Sequence, residues 1–363
     1  MKAVVVHEIG GGFHVEDVAI DDPIGQEVLV DVKASGLCRT DLSVASHPHD
    51  YPVPAVFGHE LAGIVTKVGP EVTDFTIGDH VVGTLIQFCG RCANCLSERS
   101  YQCLDRDATL RKADQPSRLT RDGADVAQVF GLGAFAQQAL VHSNQLVKIA
   151  DEMPFPQAAL LGCGGLTGTG AVLNTARVRP GESVVIVGAG GVGLNGINGA
   201  VIAGASPIIA IDVAAEKLDK AREFGATHTV NSAQEDPVAA VKAITGGGAD
   251  HVFDFVGFGK VQEQGIAMLG KGGGLYLIGV TAGQTMNVDG RALLQGAELH
   301  HGHPHGFRCS ASRRAGIRGS VPRREAQARR HGFEGNRFGR GGSWLRDAQG
   351  PHRDPGCGHQ LLG

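Results

Sequence analysis

The chain has 363 residues, of which 42% are hydrophobic and 19% charged, so it can bury a sizeable core and is long enough for two domains. Its formal net charge of −4 is not the basic balance of a nucleic-acid-binding protein. No run of about 18 apolar residues and no secretion signal is present, so we expect a cytoplasmic protein that does not enter the membrane.

Residues 1–150 are predicted to form a strand-dominated domain. Short runs rich in valine and isoleucine occur at residues 3–6, 28–32 and 63–68, and glycine, proline and aspartate separate them. Branched aliphatic side chains fit a pleated surface, whereas the separating residues favour turns. A cysteine-rich lobe at residues 87–104 interrupts this pattern.

Residues 151–296 are predicted to alternate between strands and helices. Strands are expected at residues 183–187, 208–212 and 251–255, with helices beginning at Gly191 and covering residues 214–224. This order is typical of a parallel, doubly wound sheet. The predicted fold class is therefore α/β, with a β-rich first domain and a Rossmann domain after it.

The character of the chain changes at residue 297. The segment 297–363 contains 12 arginines and 5 acidic residues, no lysine follows Lys271, and neither hydrophobic period continues. Such a change fits a disordered basic extension or a shifted reading frame, and we favour the shifted frame. We expect this tail to lack the strands that complete the preceding sheet.

Four closely spaced cysteines predict a structural zinc site. Cys89, Cys92 and Cys95 follow a Cys-x-x-Cys-x-x-Cys pattern, and Cys103 lies eight residues further on. Four thiolates complete a tetrahedral shell around Zn²⁺ and leave no position for a substrate. An iron–sulfur cluster also takes four cysteines, but the rest of the chain favours zinc.

Three further ligand candidates, Cys38, His59 and Cys163, are dispersed in the sequence. Each residue by itself is weak evidence for a metal site, because a lone cysteine is usually a buried small side chain. Together they supply two thiolates and an imidazole and leave a fourth position open, as catalytic zinc requires. A zinc ion there would lower the pKa of an alcohol, so that the alkoxide can expel hydride. The local sequence leaves both interpretations open.

A Gly-x-Gly-x-x-Gly pattern predicts dinucleotide binding. Gly188, Gly190 and Gly193 follow a predicted strand and open a helix, and Asp212 ends the next strand. The glycines let a pyrophosphate approach the helix N-terminus, whose unpaired N–H groups favour anions. Asp212 would bind both adenosine ribose hydroxyls and repel a 2′-phosphate, so we expect NAD rather than NADP.

The combination of motifs resembles the zinc-containing medium-chain alcohol dehydrogenase family over roughly residues 1–290. The matching motifs are Gly36-Leu37-Cys38-Arg39-Thr40-Asp41-Leu42, Gly58-His59-Glu60, Gly78-Asp79-His80-Val81-Val82, the four-cysteine lobe, Gly162-Cys163-Gly164, the Gly188–Gly193 turn, and Ile211-Asp212 with Lys217. The long segment 116–135 resembles the branch that acts on primary aliphatic and aryl alcohols. The resemblance implies a GroES-like catalytic domain, a small alcohol or aldehyde as substrate, and a homodimer or homotetramer.

The resemblance also implies a catalytic metal centre. Cys38, His59 and Cys163 would hold the zinc, with Glu60 close behind as an occasional ligand. Asp41 would orient His59 from behind, as a carboxylate often does for a metal-bound imidazole.

Further residues are implied to contact the cofactor or the proton. Thr40 matches the position of the hydroxyl that takes the alcohol proton and relays it through the nicotinamide ribose. Arg39 would contact the pyrophosphate and Lys217 the adenosine ribose. Thr167 and Val192 would line the nicotinamide pocket.

The sequence departs from the family in two places. Many relatives end the proton relay at a histidine five residues after the first cysteine ligand, where this chain has Ser43. His47 is the nearest substitute, so the relay ends at Ser43, at His47 or at water. The second departure is the tail, which in relatives completes the sheet and pairs the subunits.

Two other functions remain open at this stage. A disrupted tail could leave a folded but inactive protein that binds zinc and nucleotide. A zinc-free quinone reductase of the same superfamily is less favoured, because such an enzyme has no use for Cys38, His59 and Cys163.

Overall fold

The valine-rich runs of the first 150 residues form strands, as predicted. The computed structural model describes residues 1–47, 51–279, 285–288 and 290, and the backbone of 298–303 and 307–310. The strands of the first domain are β1 (Lys2–Val6), β2 (His14–Asp17), β3 (Ala19–Ile20), β4 (Glu27–Ser35), β5 (Ala55–Val56), β6 (Leu61–Val68), β7 (His80–Gly83), β8 (Leu119–Arg121), β9 (Ala124–Gln128), β10 (Gln138–His142) and β11 (Leu146–Lys148).

These strands form two mostly antiparallel sheets. One has the order β2-β1-β5-β9-β8-β3 and the other the order β10-β4-β6-β7-β11. Val28 and Val30 of β4 are buried against Leu61 and Val65 of β6, in the core of the second sheet. Fully burying such side chains contributes about 1.5–3 kcal/mol each, which holds the residues that follow β4 and precede β6 in place.

Helices are few in the first domain and frequent in the second. The α-helices are α1 (Arg39–Ser46), α2 (Ala93–Leu96), α3 (Phe155–Ala159), α4 (Gly164–Gly170), α5 (Gly191–Ala203), α6 (Ala215–Glu223), α7 (Pro237–Thr245) and α8 (Gly259–Ala267). A π-helical turn at Ala171–Ala176 extends α4, and 3₁₀ turns occur at Ser100–Gln102, Asp107–Thr109, Val129–Gly131, Ser143–Gln145 and Leu160–Gly162. Of the helices in the described part of the chain, none has the length and hydropathy to cross a bilayer.

The second domain is built on a parallel, doubly wound sheet, which confirms the predicted fold class. Its strands are β12 (Val184–Val187), β13 (Ile208–Asp212), β14 (His228–Asn231), β15 (Ala249–Asp254), β16 (Leu269–Leu277), β17 (Glu298–His303) and β18 (Phe307–Ser310). Their order is β14-β13-β12-β15-β16-β17-β18, and only the β17–β18 pair is antiparallel. Strand order reverses beside β12, which creates a crevice at the carboxyl ends of β12 and β15.

The expectation that the tail contributes no strand is wrong for its first residues. The backbone of Glu298–His303 pairs in parallel with β16, and Phe307–Ser310 pairs with it in turn. Strand pairing uses backbone N–H and C=O groups, so it does not require the hydrophobic alternation that the sequence lacks here. The same prediction also covers residues 311–363, which lie outside the described residues.

Candidate metal centre and cofactor cleft

Three distant segments bring four ligand-type side chains together. Cys38 immediately precedes α1, His59 and Glu60 immediately precede β6, and Cys163 immediately precedes α4. The sulfur, ring-nitrogen and carboxylate atoms of these residues all lie within 4.8 Å of one another. The sequence-predicted ligands, including Glu60, are therefore gathered in one cluster.

His59 is held in an orientation suited to a metal ligand. The ring is fully buried, with 0% of its surface exposed, and its Nδ1 donates to Asp41 Oδ1 at 3.0 Å. The same carboxylate oxygen accepts from Gly58 N at 3.0 Å, which fixes it. With Nδ1 directed at Asp41, His59 Nε2 is the ring atom that faces the cluster, and it has no hydrogen-bond partner among the described residues. A buried nitrogen of this kind fits a metal ion.

Close contact within the cluster shifts the pKa values of Cys38, Cys163 and His59. Contact with Cys163 and with His59 lowers the pKa of the Cys38 thiol to about 3. The same contact with Cys38, together with burial, raises the pKa of Cys163. Burial opposes protonation of His59, but the Asp41 and Cys38 side chains more than offset this and raise its pKa to about 10. Binding of a metal would replace the protons that these groups share.

Gly36 allows Glu60 to reach the cluster, a role that the sequence interpretation did not assign. A Cβ atom on Gly36 would lie 1.7 Å from Glu60 Oε2, so any side chain there would displace the carboxylate. Burial raises the pKa of Glu60, and the Cys38 thiolate adds to this shift. The only signal in the sequence was the glycine two residues before the first ligand.

The four predicted lobe cysteines also converge. The four sulfur atoms lie within 4.8 Å of one another, and the Sγ atoms of Cys92 and Cys95 are 3.4 Å apart. The backbone N–H of Leu104 and of Cys95 lowers the pKa of Cys92 to about 6, whereas desolvation raises that of Cys95 to about 12. No residue of α2 in this lobe is buried. Because the lobe lacks a hydrophobic core there, a metal would supply the folding energy.

The glycine-rich turn has the geometry expected of a phosphate-binding turn. Gly188 has a φ of +93°, which favours glycine, and a Cβ on Gly193 would lie 1.9 Å from the Gly188 carbonyl oxygen. Gly190 forms the N-cap of α5, and a Cβ there would meet nothing within 4 Å. The N-terminus of α5 is therefore open to a ligand.

Asp212 lies at the end of β13, beside this turn, as predicted. Its Oδ2 accepts from Ala189 N at 2.9 Å and its Oδ1 accepts from Ala214 N at 3.1 Å. Lys217 Nζ lies 3.8 Å from Asp212 Oδ2. Asp212 thus also holds the glycine-rich turn to the next strand, which the sequence interpretation did not foresee.

A cavity of about 380 Å³ connects the cysteine–histidine cluster with the glycine-rich turn. The sequence-predicted residues that line it are Cys38, Arg39, Thr40, Ser43, Glu60, Cys163, Thr167 and Val192. Phe255, Val256 and Ile278 also line it and were not singled out from the sequence. His47 is not part of the lining, and its Nδ1 donates to Ser43 O at 3.0 Å. Ser43 therefore lines the cavity, whereas His47 does not.

Comparisons with known proteins agree with this architecture. The family model of the alcohol dehydrogenase GroES-like domain matches residues 25–151, and that of the zinc-binding dehydrogenase domain matches residues 191–301. The chain is 37% identical over 294 residues to an NDMA-dependent alcohol dehydrogenase of Amycolatopsis methanolica, which covers 79% of this chain and 78% of that relative.

Two solved structures are also similar. An alcohol dehydrogenase zinc-binding domain protein of Burkholderia ambifaria has 39% identity and a TM-score of 0.79, over 85% of this chain and 84% of that chain. Benzyl alcohol dehydrogenase of Acinetobacter calcoaceticus has 33% identity and a TM-score of 0.78, over 92% of this chain and 90% of that chain.

A GroES-like domain joined to a Rossmann domain, with a cluster of thiol and imidazole groups at the cavity, defines an alcohol dehydrogenase-type oxidoreductase. More specifically, the chain belongs to the zinc-containing medium-chain alcohol dehydrogenase family.

Proposed function

We propose that this enzyme interconverts primary aliphatic or aryl alcohols and their aldehydes with NAD, at a zinc ion held by Cys38, His59 and Cys163. The observation that carries the proposal is the buried, unpartnered Nε2 of His59, which faces two thiols at an open cavity. Zinc supplies Lewis acidity, which lowers the pKa of an alcohol hydroxyl. The name of the benzyl alcohol dehydrogenase relative supports the aryl branch of the substrate class.

The chain's own residues would perform the remaining steps. Thr40, in the cavity wall, would take up the proton that the alcohol hydroxyl loses and pass its own hydroxyl proton on, through the nicotinamide ribose, to Ser43 or water. Arg39 binds the cofactor pyrophosphate, which the open N-terminus of α5 also attracts. Asp212 binds the adenosine ribose, next to Lys217. NAD, when bound in this cleft, would supply the two-electron acceptor for the hydride that the alcohol carbon gives up as it becomes the aldehyde carbon.

Asp41 and Glu60 contribute to the centre without being among its three proposed zinc ligands. The Asp41 carboxylate fixes the ring of His59 through a buried hydrogen bond and raises its basicity as a ligand. Glu60, which lies within the cluster, is close enough to exchange with a ligand. Cys89, Cys92, Cys95 and Cys103 would hold a second, structural zinc ion.

Elemental analysis and an absorbance assay together test this function. We expect about two zinc ions per folded chain and an alcohol-dependent rise in NADH absorbance. Folded protein without zinc would refute both metal assignments. Folded protein that holds zinc and binds NAD but turns over no alcohol would favour the inactive homologue instead.

A second candidate concerns the electron acceptor. One relative at 37% identity is named as NDMA-dependent, which favours testing an acceptor other than free NAD. Parallel assays with NAD alone, with NDMA alone and with both separate the two cases. A rate with NDMA that exceeds the rate with NAD alone would support the second candidate.

A further inference from the structure

One wall of the cavity is the turn at residues 255–257, which follows β15. Phe255 and Val256 both line the cavity. A Cβ on Gly188 would lie 2.8 Å from Val256 Cγ2, so the turn rests directly against the first glycine of the glycine-rich turn. Any shift of residues 255–257 therefore changes the space beside the glycine-rich turn.

The Asp254 carboxylate and carbonyl hold this wall together. Asp254 is 1% exposed, and its Oδ1 accepts from Val256 N at 2.9 Å and from Gly257 N at 3.0 Å. Its backbone carbonyl accepts from Ile278 N at 2.9 Å and from Gly279 N at 2.8 Å. Two stretches of the cavity wall are thus fixed by one residue.

Gln262 on α8 fixes the Asp254 side chain in turn. It is 5% exposed, and its Nε2 donates to Asp254 Oδ2 at 2.9 Å. Gln262 does not line the cavity, so any effect on a ligand there must pass through Asp254. Removing the amide would leave a buried carboxylate oxygen without this donor, which is costly and favours rearrangement of the turn.

We propose that Gln262 is a positioning residue for the nicotinamide cofactor. Through Asp254 it keeps the turn at residues 255–257 against Gly188, and it thereby sets the affinity of the cavity for the cofactor. This inference rests on the proposed use of NAD.

The test compares Gln262→Leu with the parent chain. Titration calorimetry with NAD should show binding weakened by about tenfold, because a hydrogen bond to a charged, buried group is lost. The KM for NAD should rise in parallel, whereas kcat should stay within about threefold, because the defect lies in cofactor binding. Gln264→Leu makes the same chemical change on a half-buried side chain of the same helix and should bind NAD like the parent.

Two further variants exchange the donor and the acceptor of the hydrogen bond between Gln262 and Asp254. They separate a positioning role from general damage to α8. Gln262→Glu alone places two carboxyl groups together and should weaken NAD binding. Adding Asp254→Asn lets the amide at position 254 donate to the carboxylate at position 262, while its oxygen still accepts from Val256 N and Gly257 N. NAD affinity should then recover relative to Gln262→Glu.

The possible results distinguish the two proposals. If the parent binds NAD and a folded Gln262→Leu chain binds it equally well, the positioning role is wrong and the proposed function stands. If Gln262→Leu does not fold, failure of the double variant to improve on Gln262→Glu refutes the role. If the parent binds neither NAD nor NADP, the inference fails together with the proposed cofactor.

Discussion

At the scale of single residues, substitution of Thr40 tests the proposed proton transfer most directly. Thr40 lies in the first turn of α1 and lines the cavity close to Cys38 in sequence. Thr40→Ala removes the proton acceptor, so we expect kcat to fall by about 100-fold or more. Thr40→Ser keeps a hydroxyl and should retain most of the activity. Equal kcat for Thr40→Ala and the parent in steady-state assays would remove Thr40 from the mechanism.

Asp212 should determine the choice between NAD and NADP. Its carboxylate opposes a 2′-phosphate, but it also accepts from Ala189 N and Ala214 N. Asp212→Gly therefore removes the charge and both acceptors, whereas Asp212→Asn keeps one oxygen acceptor. Both variants should narrow the ratio of kcat/KM for NAD over NADP by at least about tenfold, and Asp212→Gly should also lower thermal stability.

The exposed Asp219 of α6 provides the control for that prediction. Asp219→Asn removes a carboxylate from the helix that follows Asp212, away from the glycine-rich turn. Its ratio of kcat/KM for NAD over NADP should therefore match that of the parent. A parent enzyme with the higher kcat/KM for NADP would contradict the assignment of Asp212.

At the scale of elements, the two cysteine clusters should fail in different ways. Cys95→Ser should lower the melting temperature and the zinc content, because α2 has no buried residues to hold the lobe without metal. Cys163→Ser should mainly abolish turnover, because Ala158 and Ala159 before it and Ala171 after it are held in hydrophobic clusters without any metal. Differential scanning calorimetry with elemental analysis measures both. A Cys95→Ser chain with the parent's stability and zinc content would contradict the structural assignment.

A buried ion cluster ties the start of β4 to the segment that follows the lobe. Glu27 accepts from Arg111 Nη2 at 2.7 Å and from Arg118 Nε at 2.7 Å. Burial alone would raise the pKa of Glu27, but the two guanidinium groups more than offset this and hold it below its usual value near 4.5. The ionised Glu27 therefore stabilises the folded state.

Glu27→Gln should lower the free energy of unfolding by about 3 kcal/mol at neutral pH, since it leaves the buried Arg118 without a carboxylate partner and Arg111 with Asp21 alone. The contribution of a carboxylate with a lowered folded pKa is present above the unfolded value near 4.5 and is lost as the pH falls through the folded value. The stability difference between parent and variant should therefore shrink in acid, as urea unfolding across pH can measure. The exposed Glu235→Gln should show no such pH-dependent difference.

At the scale of the whole molecule, the unusual composition of residues 297–363 bears on solubility, oligomer formation and activity. The zinc-binding dehydrogenase match ends at residue 301, close to the change in composition. We expect the chain as written to be poorly soluble, loosely associated or weakly active, because residues 311–363 carry no hydrophobic periodicity with which to cover the strand β18, the last in the described sheet. A version with the reading frame restored near Glu298 should form a stable dimer or tetramer.

Hydrogen exchange and size-exclusion chromatography check this prediction. Residues 298–303 of the chain as written, paired with β16, should be protected. A chain with the written mass that forms an active, stable oligomer and is strongly protected over residues 311–363 would contradict the frame hypothesis. Reading the coding DNA around Glu298 in all three frames provides an independent check.

Much of the molecule is determined by local sequence. The strands at Lys2–Val6 and Ile208–Asp212 and the helix beginning at Gly191 follow from branched aliphatic runs and a glycine-rich turn, because their periodicity is a property of a few adjacent residues. The four-cysteine set was also predictable from its spacing, since four thiolates so close together have few uses other than metal binding, whereas Cys38, His59 and Cys163 were assigned through the family resemblance.

Only the tertiary structure decided what depends on contacts between distant segments. Glu60 reaches the cluster of Cys38, His59 and Cys163 because Gly36 leaves room for it, and Gln262 reaches Asp254 across the α8–β15 packing. The strand at Glu298–His303 forms although its sequence shows no alternation, because β16 and β18 supply the backbone partners. Steric room and hydrogen-bond partners arise from the fold as a whole, so neither periodicity nor spacing along the chain can encode them locally.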